Sequence, residues 1–103
     1  MFARLARYEV PPERMDEAID AFRAAVNDIT GLEGLKGGSV LTDAEDGVII
    51  SMTFWDTRTA MEDSEVQAAA LRRQAAQQVE GTVVSVHCLD VVAEIGTQAS
   101  TPA

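Results

Sequence analysis

Arg4 and Tyr8 lie in the alternating stretch from Phe2 to Val10. An extended strand puts both on one face with Phe2, Ala6 and Val10 and turns Arg7 to the other. At ~3.3 Å per residue they stand roughly 13 Å apart, so they can contact a small molecule from its two ends. The residue types suit an anionic or phenolic ligand. A guanidinium pairs with a carboxylate or phenolate, and a phenol hydroxyl donates to either. Arg72 or its neighbour Arg73 can complete such a pocket from above, with Arg72 the one expected in the binding set. The plainer alternative pairs the strand arginines with Glu9, Asp90 or Glu94 at a sheet edge and leaves the helix arginines solvated.

His87 is the single histidine. An imidazole titrates near neutrality and can take a proton from a phenol, so Tyr8 and His87 are the catalytic candidates. Alternation groups His87 with Val83, Ser85, Leu89 and Val91, and a hydrogen-bonded place at an interface is its ordinary alternative. One histidine without clustered carboxylates builds no metal centre, so no metal is expected. Met52 and Phe54, with Met15, Met61 and Phe22, can line an apolar pocket, because Met adapts to irregular space. Plain core is the alternative for each. The expected substrate-binding set is therefore Arg4, Tyr8, Met52, Phe54 and Arg72. Cys88, the one cysteine, reads as a small buried hydrophobe and rules out a disulfide framework. Gly37-Gly38 falls in a strand rather than a strand-to-helix turn, and no Ser-His-Asp pattern occurs. No nucleotide and no other cofactor is expected.

Charge narrows the partners. Eight Lys and Arg against 17 Asp and Glu give a formal net charge of -9. A nucleic-acid binder needs clustered positive charge to displace counterions, so nucleic acid and anionic membrane are excluded as partners. Hydrophobic residues make up 47% and charged residues 24% of 103 residues, the composition of one globular domain. No apolar run approaches the roughly 18 residues of a membrane span. Arginines interrupt the opening MFARLARYEV where a signal peptide would be continuously apolar, so a cytoplasmic protein is expected.

These side chains need elements to hold them. Phe2 to Val10 reads as a strand stopped by Pro11-Pro12. Met15, Ile19, Phe22, Val26 and Ile29 then recur at helical spacing and form one apolar stripe, which ends at Thr30-Gly31. Lys36 to Asp43 and Val48 to Trp55 form a hairpin across the turn at Asp43 to Gly47. Asp56-Thr57 offers a cap for a short helix through Met61, and Ser64 with Gln67 has capping-box spacing for a longer one through Val79. Gly81 breaks that helix, and Thr82 to Glu94 is a β-branched strand. Residues 96–103 are small and polar and are expected to fray.

The order β-α-β-β-α-β predicts an α+β, ferredoxin-like domain over residues 1–95, with two helices on one face of an antiparallel sheet. In the third strand Val48, Ile50, Met52 and Phe54 form a wholly apolar face, which is expected under the helices. Ile49, Ser51, Thr53 and Trp55 are expected on the open face. An uncovered face with Trp and Ile calls for a partner, and a second copy with the sheets face to face supplies one: a homodimer.

The run Asp46 to Met61, with Trp55-Asp56-Thr57 and Ala60, resembles the W-[DE]-[ST]-x-x-A signature of the antibiotic-biosynthesis monooxygenase (ABM) superfamily. Ala6 to Glu13 resembles that family's first strand and turn, and Gly31 to Leu41 its glycine-containing approach to strand two. The resemblance spans residues 2–95 and implies a dimeric α/β barrel. Some members oxidise phenolic polyketide intermediates to quinones without metal or flavin, and others degrade haem. The haem enzymes use an Asn of the first strand, a Trp of the second helical region and a helix His. The first strand here has Ala6, Arg7 and Tyr8, and neither a second Trp nor a helix His occurs, so the resemblance does not extend to haem. Trp55 reads as a packing anchor.

The resemblance implies a cofactor-independent monooxygenase of a small aromatic or phenolic compound. The alternative is a non-catalytic small-molecule-binding module on the same dimeric barrel, with an isomerase or other small-molecule enzyme as a third option. The ligand would sit between sheet and helices. A competing placement puts Arg7 and His87 inside the dimer barrel.

Overall fold

The chain is described by a computed structural model over residues 1–96. The expected fraying of the tail falls on residues that, beyond 96, lie outside that range. The elements run β1 (Phe2–Glu9), a 3-10 turn (Pro12–Arg14), α1 (Met15–Ile29), β2 (Leu35–Asp43), β3 (Val48–Trp55), α2 (Arg58–Asp63), α3 (Glu65–Gln78) and β4 (Thr82–Asp90). Pro12 opens the 3-10 turn, where its missing N–H costs nothing. The Thr57 side chain caps α2 by accepting from Ala60 N at 3.0 Å. Ser64 makes no capping bond, contrary to the capping-box spacing, because its backbone is helical and its hydroxyl donates back to Met61 O at 2.7 Å. Strand β4 stops at Asp90, short of the expected Glu94.

The four strands form one antiparallel sheet in the order β2-β3-β1-β4, the α+β ferredoxin-like arrangement. The central pair sets the faces. Phe2 lies opposite Trp55, Arg4 opposite Thr53, Ala6 opposite Ser51 and Tyr8 opposite Ile49. Directly paired residues point to the same side, so the face of Arg4 and Tyr8 is also that of Ile49, Ser51, Thr53 and Trp55. The helices cover this face. Ala6, Tyr8, Val10, Ile49 and Val79 pack with Met15, Ala18, Phe22 and Ala75 in the core, and Trp55 is fully buried. Small residues Ala68, Ala75 and Ala76 on the buried side of α3 let it lie close to α1.

The expected faces of β3 are therefore reversed. Val48, Ile50, Met52 and Phe54 lie on the open side with Leu5 and Arg7. The more apolar set need not be the one under the helices when the helix-covered face surrounds a cavity with its own polar groups. Ser51 and Thr53 are tolerated there because each has a partner: Ser51 Oγ lies 3.0 Å from Tyr8 Oη, and Trp55 Nε1 donates to Thr53 Oγ1 at 2.9 Å.

An irregularity between Arg7 and Tyr8 pairs Arg7 with Ser85 but Tyr8 with Val83. Val83 thus falls on the face of Tyr8, separated from His87, which simple alternation missed. Cys88 pairs with Arg4 on an edge strand and is exposed, not buried as expected.

Candidate functional site

The site grows from the β1–β3 register. Tyr8 and Ser51 meet across it, Arg4 and Thr53 are paired, and α1 and α3 roof the space above. A small cavity of about 50 Å³ results, with Arg4, Tyr8, Ser51 and Thr53 as floor, Phe22 and Ile29 as one wall and Arg72 on α3 as the other. The Tyr8 ring packs on Phe22 with centroids 4.5 Å apart and planes tilted by 56°, which holds the hydroxyl on Ser51. Beside the cavity lies an outer groove of about 620 Å³ between the end of α1 and strands β2 and β3. Val26, Ile29, Val40, Ser51 and Thr53 border both.

Arg4 is 4% exposed, and its guanidinium is held through Nη2 and Nε. Nη2 donates to Met61 O and, at 2.9 Å, to Ser64 Oγ. Nε stands 3.0 Å from Glu65 Oε1, an ion pair out of hydrogen-bond alignment that leaves both atoms without another partner. The cation also lies over the Trp55 ring, 5.3 Å from its centroid. Arg4 thus pins the α2–α3 junction to the sheet. On the other side of the carboxylate, Arg72 Nη2 meets Glu65 Oε2 at 2.6 Å. Two guanidiniums share one carboxylate, so the inner end of the cavity carries a surplus positive charge.

Burial pushes the Tyr8 phenol above its ordinary value of 10.0, against the opposing pulls of the Ser51 hydrogen bond and the Arg72 and Arg4 charges. At neutral pH Tyr8 is a neutral hydroxyl that donates or accepts, not a phenolate base. Among the described residues no carboxylate or imidazole lines the cavity.

The structure brings Arg4, Tyr8 and Arg72 together and separates them from the other expected residues. Phe54 lies opposite Ala3 on the open face. Met52 borders the outer groove, but its pairing with Leu5 places it on that same open face. His87, also paired with Leu5, is exposed on the open side of β4. Arg7 shares that side, in the next row. Sequence reasoning missed Ser51 and Glu65. Ser51 had a signal as the polar break in Val48 to Met52, whereas Glu65 had none, being one more acid in an acidic chain. Among the described residues no group of three His, Cys, Asp or Glu side chains is placed to hold a metal ion, and no helix is long and apolar enough to cross a membrane.

The sequence profile of the antibiotic biosynthesis monooxygenase family matches residues 1–76, which hold β1, β3 and the cavity residues from Arg4 to Arg72. The chain belongs to the antibiotic biosynthesis monooxygenase family. Solved structures share its fold at low identity. Rv0793 from Mycobacterium tuberculosis is 17% identical with a TM-score of 0.70, covering 90% of this chain and 96% of its own. SnoaB from Streptomyces nogalater, a cofactor-independent oxygenase, is 14% identical with a TM-score of 0.72, covering 91% of this chain and 95% of its own. A conserved protein from Methanosarcina mazei is 11% identical with a TM-score of 0.67, covering 84% and 88%. No curated protein matches the sequence. Within this monooxygenase family, then, the present chain carries a small helix-roofed cavity lined by three hydroxyl side chains, Tyr8, Ser51 and Thr53, and two arginines, Arg4 and Arg72.

Proposed function

We propose that this chain is a cofactor-independent monooxygenase of a small aromatic or phenolic compound. The observation that carries the reading is the convergence of Tyr8 Oη, Ser51 Oγ and Arg72 on one cavity in a member of this family. SnoaB, which shares the fold, is a cofactor-independent oxygenase. A phenolate or the enolate of an anthrone reduces oxygen directly once its proton is gone. In net terms a phenol C–H and its O–H give up two hydrogens to one oxygen atom of O2 as water, and the other atom becomes the new quinone carbonyl. The site's task is to favour the anion. Surplus charge from Arg72 and Arg4 over Glu65 stabilises it, Tyr8 donates to its oxygen, and the proton leaves to water in the outer groove. The inner cavity is smaller than the ~150 Å³ that encloses a benzene. The ring therefore lies in the outer groove, whose volume falls within the ~300–1,000 Å³ of ligand sites, with its oxygen reaching inward.

The proposal includes a homodimer. The open sheet face bears Leu5, Val48, Ile50, Met52 and Phe54, and Leu41 and Leu89 are 50% and 46% exposed. A second copy, sheet against sheet, would cover them.

The second reading, a non-catalytic small-molecule-binding module on the same barrel, is favoured by the small inner cavity and by the lack of a base in it. Oxygen uptake by the purified protein with phenols and anthrones, with and without chelator, separates the two. Chelator-insensitive uptake that falls in Arg72→Gln supports the oxygenase. Binding of the same compounds without oxygen uptake supports the module.

A further inference from the structure

The chain holds 17 Asp and Glu against eight Lys and Arg, yet among the described residues no carboxylate lines either the inner cavity or the outer groove. Half of the chain's basic residues do: Arg4 and Arg72 inside, Arg23 and Lys36 in the groove. The inner pair lines the cavity and the outer pair the neighbouring groove, and the two spaces share the apolar side chains of Val26, Ile29 and Val40 and the hydroxyls of Ser51 and Thr53. Arg23, on α1, makes no ion pair among the described residues. Lys36, on β2, has only a long one, 3.9 Å to the half-exposed Asp56. In so acidic a protein, cations left without close carboxylates face a groove where an anion would be welcome and the rest of the surface would repel it.

We propose that the ligand of this site is an aromatic with two acidic ends. One is the phenol or enol that reaches Tyr8 and Arg72. The other is a carboxylate, or a group of like charge, held at the groove mouth between Arg23 and Lys36. The inference rests on the reading that ligand enters this cavity, and it holds whether or not the bound molecule is then oxidised. The mouth cations set specificity: they anchor the far end of an elongated molecule and fix which edge of its ring faces inward. Exposed cations act at modest strength and are screened by salt.

Calorimetric titration of the full chain with 6-hydroxy-2-naphthoate and with its methyl ester tests this at low ionic strength. The two share a ring and a phenol and differ in the far charge. The acid is expected to bind roughly tenfold tighter than the ester, the effect of two exposed ion pairs, and 0.5 M salt should remove most of that margin. Arg23→Gln and Lys36→Gln should each reduce the preference and together abolish it, the acid losing more affinity than the ester. Arg72→Gln should weaken both ligands alike. Equal affinity of acid and ester, with both sensitive to Arg72→Gln, overturns the two-ended ligand and leaves the cavity reading intact. A preference that survives the Arg23→Gln, Lys36→Gln double variant also overturns it. Failure of both compounds to bind at millimolar concentration overturns the cavity reading and this inference together. Circular dichroism of each variant checks that the fold is retained.

Discussion

Tyr8 Oη and Ser51 Oγ stand 3.0 Å apart although they are not directly paired in the sheet: Tyr8 lies opposite Ile49, two residues along β3. The phenol leans along the strand to reach the hydroxyl, and Phe22 holds it there. This diagonal bond gives the cavity its polar floor inside an otherwise apolar core.

Tyr8 is the only tyrosine, so its ionisation can be followed alone by absorbance near 295 nm. Its pKa is raised above 10.0, chiefly by burial. The folded state therefore holds the proton more tightly than the unfolded chain does. Its contribution to stability is complete below the unfolded value and is lost as pH rises through the folded one. The expected result is a titration midpoint above that of the urea-unfolded protein and a falling urea midpoint above about pH 10. A Tyr8 midpoint at or below that of the unfolded chain would contradict the burial argument.

Ser51→Ala leaves Tyr8 Oη without its partner in a buried place. A loss of about 1–3 kcal/mol in urea unfolding is expected. Tyr8→Phe removes the hydroxyl on the other side and should slow oxygen uptake in any substrate the protein turns over. Unchanged turnover in Tyr8→Phe would confine Tyr8 to packing.

Arg4→Met removes the cation over Trp55 and the bonds to Met61 O and Ser64 Oγ. It also leaves Glu65 with Arg72 alone. Removing one partner of a buried ion pair costs about 3–5 kcal/mol, and Glu65, which is 44% exposed, can partly rehydrate. A loss of about 2–4 kcal/mol is therefore expected, read as a lower urea midpoint. Trp55 fluorescence should change with it, since the cation sits on that ring.

Gly34 has a φ of +83° and its carbonyl accepts from Asp56 N at 2.9 Å, which ties the approach of β2 to the start of α2. A Cβ there would run into Ala60 Cβ. Gly34→Ala combines backbone strain with a clash, and a loss of about 2 kcal/mol or more is expected in chemical denaturation. Gly31→Ala, with open space around it, serves as the control and should be close to neutral.

Ile50→Lys tests the proposed dimer. Ile50 lies opposite Arg7 on the open face, so the lysine adds charge where the second copy would pack. Wild type should sediment at twice the 11.0 kDa of one chain and the variant at that mass with its circular dichroism retained. A wild-type protein that stays at one chain mass at micromolar concentration would sink the dimer.

The order of strands and helices was legible in the sequence because each element carries its own period. Alternation marked Phe2 to Val10 and Val48 to Trp55, helical spacing marked Met15 to Ile29, and Asp56-Thr57 and Asp43 to Gly47 marked a cap and a turn. The W-D-T-x-x-A run was enough for the family. Alternation also put Arg4 with Tyr8 and Met52 with Phe54. What it could not decide was which group faces the helices, because that depends on the pairing between strands far apart in the chain. Phe2 opposite Trp55 is a tertiary fact, and a shift of one residue would exchange the faces of β3. Choosing the more apolar side of β3 for the core therefore failed, since Ser51 and Thr53 become acceptable under helices only when Tyr8 and Trp55 arrive to bond them. Glu65 is the same case. As a residue it is one acid among 17, and only the packing of α3 over β1 sets it between Arg4 and Arg72.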